Sequence, residues 1–266
     1  MKPFKKYIQL VFFLLACNII FSCKKDKAAV NCYPGATLMD TAVLLVLGQS
    51  NAANFGEKPY VAECPNTLNF YEGSYYPLSD PLKGANGERG SVWSRLGDLL
   101  VQNGFAKTII IAPSAVGGTT LKQWKPGGEL NHLVTETITS LQSKGLKITH
   151  VLWHQGESDN AVLHPSVSPT ENAEQYRSDF LELVGQLRAL QVDAPVFIAV
   201  TSRCGSILPD TALQRVQREL TTDSLKIFNG PDTDLLGSQY RYDDCHFNEN
   251  GLNIHALMWA DILFAY

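Results

Sequence analysis

Four short stretches hold residues able to act together: Gly48-Gln49-Ser50-Asn51, Gly117-Gly118, Gln155-Gly156-Glu157 and Asp243-Asp244-Cys245-His246. A serine hydroxyl is a weak nucleophile. It attacks an ester only when a neighbouring base takes its proton and an acid orients and stabilises that base. It also needs N–H donors aimed at the oxyanion of the tetrahedral intermediate. Ser50 is the candidate nucleophile and His246 the candidate base. Asp243 precedes His246 by three residues, close enough to reach the far ring nitrogen within one turn of loop. Gly117 and Gly118 can bring backbone N–H groups up to a ligand, and Gln155 can add a side-chain amide. Singly, each has a plainer reading. Ser50 and Asn51 sit where a helix cap would sit, and D-x-x-H and Gly-Gly both describe ordinary loops.

The elements around these stretches would bring them together. Residues 41–47, TAVLLVL, are fully apolar and rich in branched side chains, as in a strand buried on both faces. Further buried strands are expected at 107–113, 147–154 and 195–200, with a weaker one at 224–229. Helical spacing marks 91–104, 131–145, 172–191 and 210–220, and a C-terminal helix is expected behind Asn248. Residues 66–78 alternate around Glu72-Gly73 and read as an inserted hairpin. Alternating strands and helices argue for one parallel sheet covered on both faces. Ligands bind such sheets at the carboxyl ends of the strands, where the first three stretches fall; Asp243-Asp244-Cys245-His246 comes just before the last helix.

Taken together, GQSN, AVGGTT, WHQGESD and DDCH resemble the blocks of the SGNH hydrolase superfamily, in the right order from about Val43 to the C-terminus. Within it, GQSN with GGTTLKQW and WHQGESD resembles the branch of sialate O-acetylesterases and acetylxylan esterases, carbohydrate esterase family six. The wider superfamily usually has Asn where Gln155 stands, and the closer branch shares the Gln. The resemblance implies a three-layer α/β/α sandwich with a flavodoxin-like parallel sheet. It implies a serine esterase that removes acetyl groups from a carbohydrate through an acetyl-enzyme, with no metal or organic cofactor. Ser50 is then the nucleophile and His246 the base. The Ser50 N–H, Gly117 or Gly118, and Gln155 form the oxyanion hole. Asp243 is the expected acid, and Glu157 its rival or an organiser of the loop. Asn51, Trp124 and Arg203 are expected to line the substrate site, and Tyr71, Tyr75 and Tyr76 are further aromatic candidates. The substrate remains open between acetylated xylan, related glycans and sialate esters. A non-catalytic carbohydrate-binding protein of the same fold is the alternative from another class.

His150, His154 and Glu157 have a spacing that would suit zinc on a helix. KITHVLWH reads as a strand instead, which sets the two imidazoles too far apart for one ion, so no metal is expected. The 266 residues carry a net charge of -4 with no basic block past the first residues, which excludes a nucleic-acid footprint.

Lys2, Lys5 and Lys6 followed by an apolar stretch to Phe21 read as an export signal. The segment closes in FSCKKDK, which resembles a bacterial lipoprotein signal. Residues 1–22 are then the signal, Cys23 the lipidated residue with Cys17 as alternative, 23–38 a tether, and 39–266 one esterase domain. This implies a periplasmic or cell-surface protein anchored to the membrane. Of the remaining cysteines, Cys32, Cys64, Cys204 and Cys245 permit two disulfides with three connectivities. The proximity of the strand-end motifs favours Cys204–Cys245 with Cys32–Cys64.

Overall fold

The computed structural model describes residues 31, 32 and 35–266. The expected signal segment, Cys17 and Cys23 lie outside the described residues. Among the described residues the sheet has seven strands: β1 (Met39–Gly48), β2 (Thr67–Tyr71), β3 (Ser74–Pro77), β4 (Ala106–Ala115), β5 (His150–His154), β6 (Val196–Val200) and β7 (Ile227–Asp232). Their order is β3-β2-β4-β1-β5-β6-β7. All neighbours are parallel except β2 with β3. Leaving out the hairpin, the remaining strands run second-first-third-fourth-fifth, the flavodoxin-like order expected. In that order the chain leaves β1 to one side for β4 and later to the other for β5. The carboxyl end of β1 therefore stands at the switch point, where a crevice opens.

The strand period of two decides which side each β1 residue covers. Ala42, Leu44 and Val46 pack with Trp93, Leu96 and Trp259 of helices α1 (Trp93–Gln102) and α6 (Glu249–Ala265). Val43, Leu45 and Leu47 pack with Ile138 and Phe180 of α3 (Asn131–Ser143) and α4 (Pro169–Ala189). Each fully buried side chain of this kind contributes about 1.5–3 kcal/mol. Both faces are covered, hence an apolar run without alternation. The remaining helices are α2 (Leu121–Trp124) and α5 (Thr211–Glu219).

Local signals explain most boundaries. The β2–β3 turn places Glu72 at φ 46° and Gly73 at φ 73°, the paired left-handed conformation of tight hairpins. Asn248 caps α6 by accepting the Gly251 N–H. α4 starts three residues before the expected 172 because Ser168 and Glu171 form a reciprocal capping box with Pro169 at the first helical position. The helix expected directly behind Ser50 is a single 3-10 turn, Ser50–Ala52. Both expected disulfides form, Cys32–Cys64 and Cys204–Cys245.

β5 is a strand, with His150 and His154 at its two ends. His150 packs against Phe105 and Phe197, and burial pulls its pKa down to about 4. Burial, with Arg241 nearby, pulls His154 to about 3. Burial also holds His255 well below the ordinary value. All three fold as neutral rings, whereas the unfolded chain takes up their protons near pH 6.5. Their contribution is therefore complete above about pH 6.5 and is lost as pH falls toward 4. Calorimetry from pH 7 to 4 is expected to show a falling melting temperature. His150→Phe should flatten that decline by about 3 kcal/mol. An unchanged pH slope in the variant would remove His150 from the account.

Candidate active site

β1 ends in a turn that only glycine allows. Gly48 has φ 147°, and a Cβ there would stand 2.1 Å from the His154 carbonyl oxygen. The Gly48 carbonyl accepts from the Val116 N–H, and the Gln49 N–H donates to His154 O, both at 3.1 Å. The turn is thus clamped between the ends of β4 and β5, with Ser50 beyond it at 5% exposure. A Cβ on Gly117 would meet Ser50 Cβ at 3.3 Å and the Phe55 ring at 2.9 Å, so Gly117 stands directly beside the serine.

His246 reaches this corner on a loop closed by the Arg241–Phe247 bridge. Asp243 folds the turn by itself. Its Oδ1 accepts the N–H groups of Cys245 at 3.0 Å and His246 at 2.6 Å, and its Oδ2 faces His246 Nδ1 at 2.7 Å. One carboxylate therefore shapes the backbone and orients the imidazole. Partial burial pushes that carboxyl up, but the imidazole and the two N–H groups together outweigh it and hold it below the usual range. His246 lies between two rings, Phe55 at 5.3 Å and Tyr242 at 6.2 Å. Its Nε2 and the Ser50 hydroxyl have no hydrogen-bond partner among the described residues. The loop is tied down by Arg241, which donates to the carbonyls of Leu236, Thr233 and Cys245. The Cys204–Cys245 disulfide ties it to the end of β6.

Glu157 does not contact His246. It is buried, and its Oε1 accepts from Asn51 Nδ2 at 2.7 Å. Its Oε2 has no hydrogen-bond partner among the described residues, and His154 Nε2 lies 3.7 Å from Oε1. Burial raises its carboxyl against the pull of Asn51 and Arg241. Asn51 also approaches the Cys245 carbonyl at 3.4 Å. It thereby joins the serine turn, the Glu157 loop and the histidine loop.

Two expectations meet a different arrangement, and the choice between the two glycines narrows. Trp124 is not in the site: it is fully buried, donates to Thr119 Oγ1 at 2.9 Å and packs edge-on against Trp153. The reason is α2, whose single turn carries the indole into the core shared by α3, α4 and that face of the sheet. Gln155 is also fully buried, and its amide nitrogen is already surrounded by acceptors, Thr119 O at 2.9 Å, Gln49 Oε1 at 3.2 Å and Asp159 Oδ2. With both N–H groups engaged it organises the loop and presents no donor to Ser50. Of the two glycines, Gly117 is the one beside Ser50, and its N–H is held by Asn86 Oδ1 at 2.9 Å. Gly118 has a Cβ position facing open space and an N–H with no acceptor among the described residues. Arg203 is half-buried beside the disulfide and donates to the Ser238 hydroxyl.

Gln49, Phe55, Asn86 and Tyr242 escaped the sequence reading. Gln49 stood in plain view before Ser50, but its use depends on distant partners. Its Oε1 accepts the Ser158 N–H at 3.1 Å. A backbone N–H only donates, so the orientation of this carboxamide is fixed and its Nε2 is turned the other way. That nitrogen has no acceptor among the described residues.

A family model described as "Carbohydrate esterase, sialic acid-specific acetylesterase" matches residues 40–264. A probable carbohydrate esterase from Arabidopsis thaliana is 33% identical over 78 residues, 29% of this chain and 27% of that protein's length. A solved Arabidopsis thaliana structure superposes with TM-score 0.67 at 19% identity, covering 85% of this chain and 98% of that one. A carbohydrate acetylesterase from Xanthomonas citri superposes with TM-score 0.53 at 19% identity, covering 82% and 55%. At these identities the two structures speak for the fold.

Proposed function

The chain belongs to this carbohydrate esterase family, whose members are carboxylic ester hydrolases acting on O-acetyl groups, and from that premise we propose that Ser50 carries the reaction as a nucleophile through an acetyl-enzyme. The observation that carries the reading is the Asp243–His246 pair at 2.7 Å, held by its own turn and joined to the Ser50 turn through the Phe55 ring stacked on His246 and the Asn51 amide on the Cys245 carbonyl.

The chemistry follows from these positions. Ser50 Oγ attacks the acetyl carbonyl carbon while His246 Nε2 takes its proton, and Asp243 holds the ring with Nδ1–H toward itself. The tetrahedral oxyanion is met by the Ser50 N–H and by a backbone N–H of the Gly117-Gly118 pair. Gln49 Nε2 supplies the side-chain amide in place of Gln155. His246 returns the proton to the leaving sugar oxygen and then takes one from water, which attacks the acetyl-enzyme; the bond to Ser50 Oγ breaks, His246 gives the proton back to that oxygen, and the acetyl group leaves as acetic acid, which ionises to acetate. The substrate is an acetylated glycan of the xylan type, with O-acetylated sialate as the second possibility raised by the family description. The same reading has residues 39–266 working as one domain of an exported lipoprotein anchored through Cys23.

Acetate release from acetylated xylo-oligosaccharides, with an acetyl adduct trapped on the Ser50 peptide and read by mass spectrometry, tests the proposal. Turnover without such an adduct would sink the covalent route. Gln49→Leu keeps the volume and removes the donor. It is expected to lower kcat by about 10²–10³-fold with little change in KM. A loss confined to KM would assign Gln49 to binding instead.

A further inference from the structure

Behind Asn86 lies a cavity of about 320 Å³. Its walls are the end of β2, residues 84–86, the end of β4 and one side of α3. That volume falls within the range of small-ligand sites, about 300–1,000 Å³. Asn86 and Val116 form the wall toward Ser50. Asn86 Oδ1 accepts from Gly117, and Gly117 is the residue against Ser50. The cavity is thus linked to the candidate nucleophile through Asn86 and Gly117. The wall is preformed. Asn54, fully buried, donates to the carbonyls of Leu82 and Ala85 and accepts the Leu82 N–H, while the Asn86 N–H donates to Ala115 O at 3.0 Å.

We propose that this cavity is the subsite for an uncharged sugar unit adjoining the acetylated one, and that it disfavours glycans bearing carboxylates. The inference rests on the esterase reading of Ser50. The lining combines an aromatic ring, Tyr71, with the hydroxyls of Thr137 and Ser140, the Asn86 amide and the carboxylates of Glu72 and Glu136. A sugar ring offers an apolar face for the tyrosine and hydroxyls that donate to carboxylates. Charged acceptors make the stronger hydrogen bonds. Among the described residues the lining contains no Lys, Arg or His. Two lysines stand near that end without joining the lining: Lys144, with Nζ 3.8 Å from the Cβ position of Gly73, and Lys83, with Nζ 4.9 Å from the centre of the Tyr76 ring. A sugar carboxylate entering the cavity would meet two like charges and no counter-ion, which is repulsive.

The test uses Ser50→Ala protein, so that binding is read without turnover, and isothermal titration with xylotetraose and with tetragalacturonic acid. Xylotetraose is expected to bind at least tenfold more tightly. Tyr71→Ala in that background should weaken xylotetraose at least tenfold with the melting temperature retained. Glu72→Gln with Glu136→Gln should narrow the preference over tetragalacturonic acid. Equal affinity for the two oligosaccharides, or a Tyr71→Ala variant that binds xylotetraose like its parent, would overturn the subsite. Failure of the esterase reading registers separately, as wild-type protein that does not hydrolyse p-nitrophenyl acetate.

Discussion

Ser50→Ala is expected to lower acetate release from an acetylated oligosaccharide by at least about 10⁴-fold, the scale on which losing a nucleophile acts when the rest of the site survives. The fold should be indifferent to the change. The Ser50 hydroxyl has no hydrogen-bond partner among the described residues, and the turn is held by backbone bonds of Gly48 and Gln49 to β4 and β5. Stability should therefore move by no more than about 0.5 kcal/mol. A variant that folds like wild type and keeps a tenth of its activity would end the nucleophile assignment. The carbohydrate-binding alternative makes the opposite forecast: no acetate from wild type, and equal glycan affinity in both proteins.

The second large effect separates the two carboxylates. Asp243→Asn is expected to lower kcat by about 10³–10⁴-fold, because an amide at that place holds the imidazole in the wrong tautomer and does not stabilise its cation. Glu157→Gln should cost less than about tenfold. Its Oε1 would still accept from Asn51, and burial already biases this side chain toward the uncharged form that glutamine mimics. Rate against pH with one acetylated substrate, measured for both variants, reads the difference. If Glu157→Gln is the more damaging, Glu157 is the acid and Asp243 merely folds the loop.

The resemblance carried by GQSN, WHQGESD and DDCH identified the family without coordinates, and the family model covers almost the whole span it indicated. Other features were legible for simpler reasons. β1 could be read because burial on both faces leaves an unbroken apolar run. The Glu72-Gly73 turn and the Asn248 cap depend on two to four neighbouring residues. The start of α4 was equally local, yet it was placed late because Ser168 and Glu171 lie ahead of the amphipathic stretch.

By itself, then, the sequence determined the strand order's raw material, the strand-end position of Ser50, the Gly117-Gly118 pair and Gln155, and the three-residue link from Asp243 to His246. Such features are settled by backbone period and by partners within one turn. Only the tertiary structure decided that Trp124 belongs to the core, that Gln155 spends its amide inside, that Gln49 has one to spare, and that Glu157 pairs with Asn51. Asn51 and Glu157 stand 106 residues apart, and so do Gln49 and Gln155. A polar side chain's role depends on which donors and acceptors the fold brings against it, and at those separations no local pattern records the outcome.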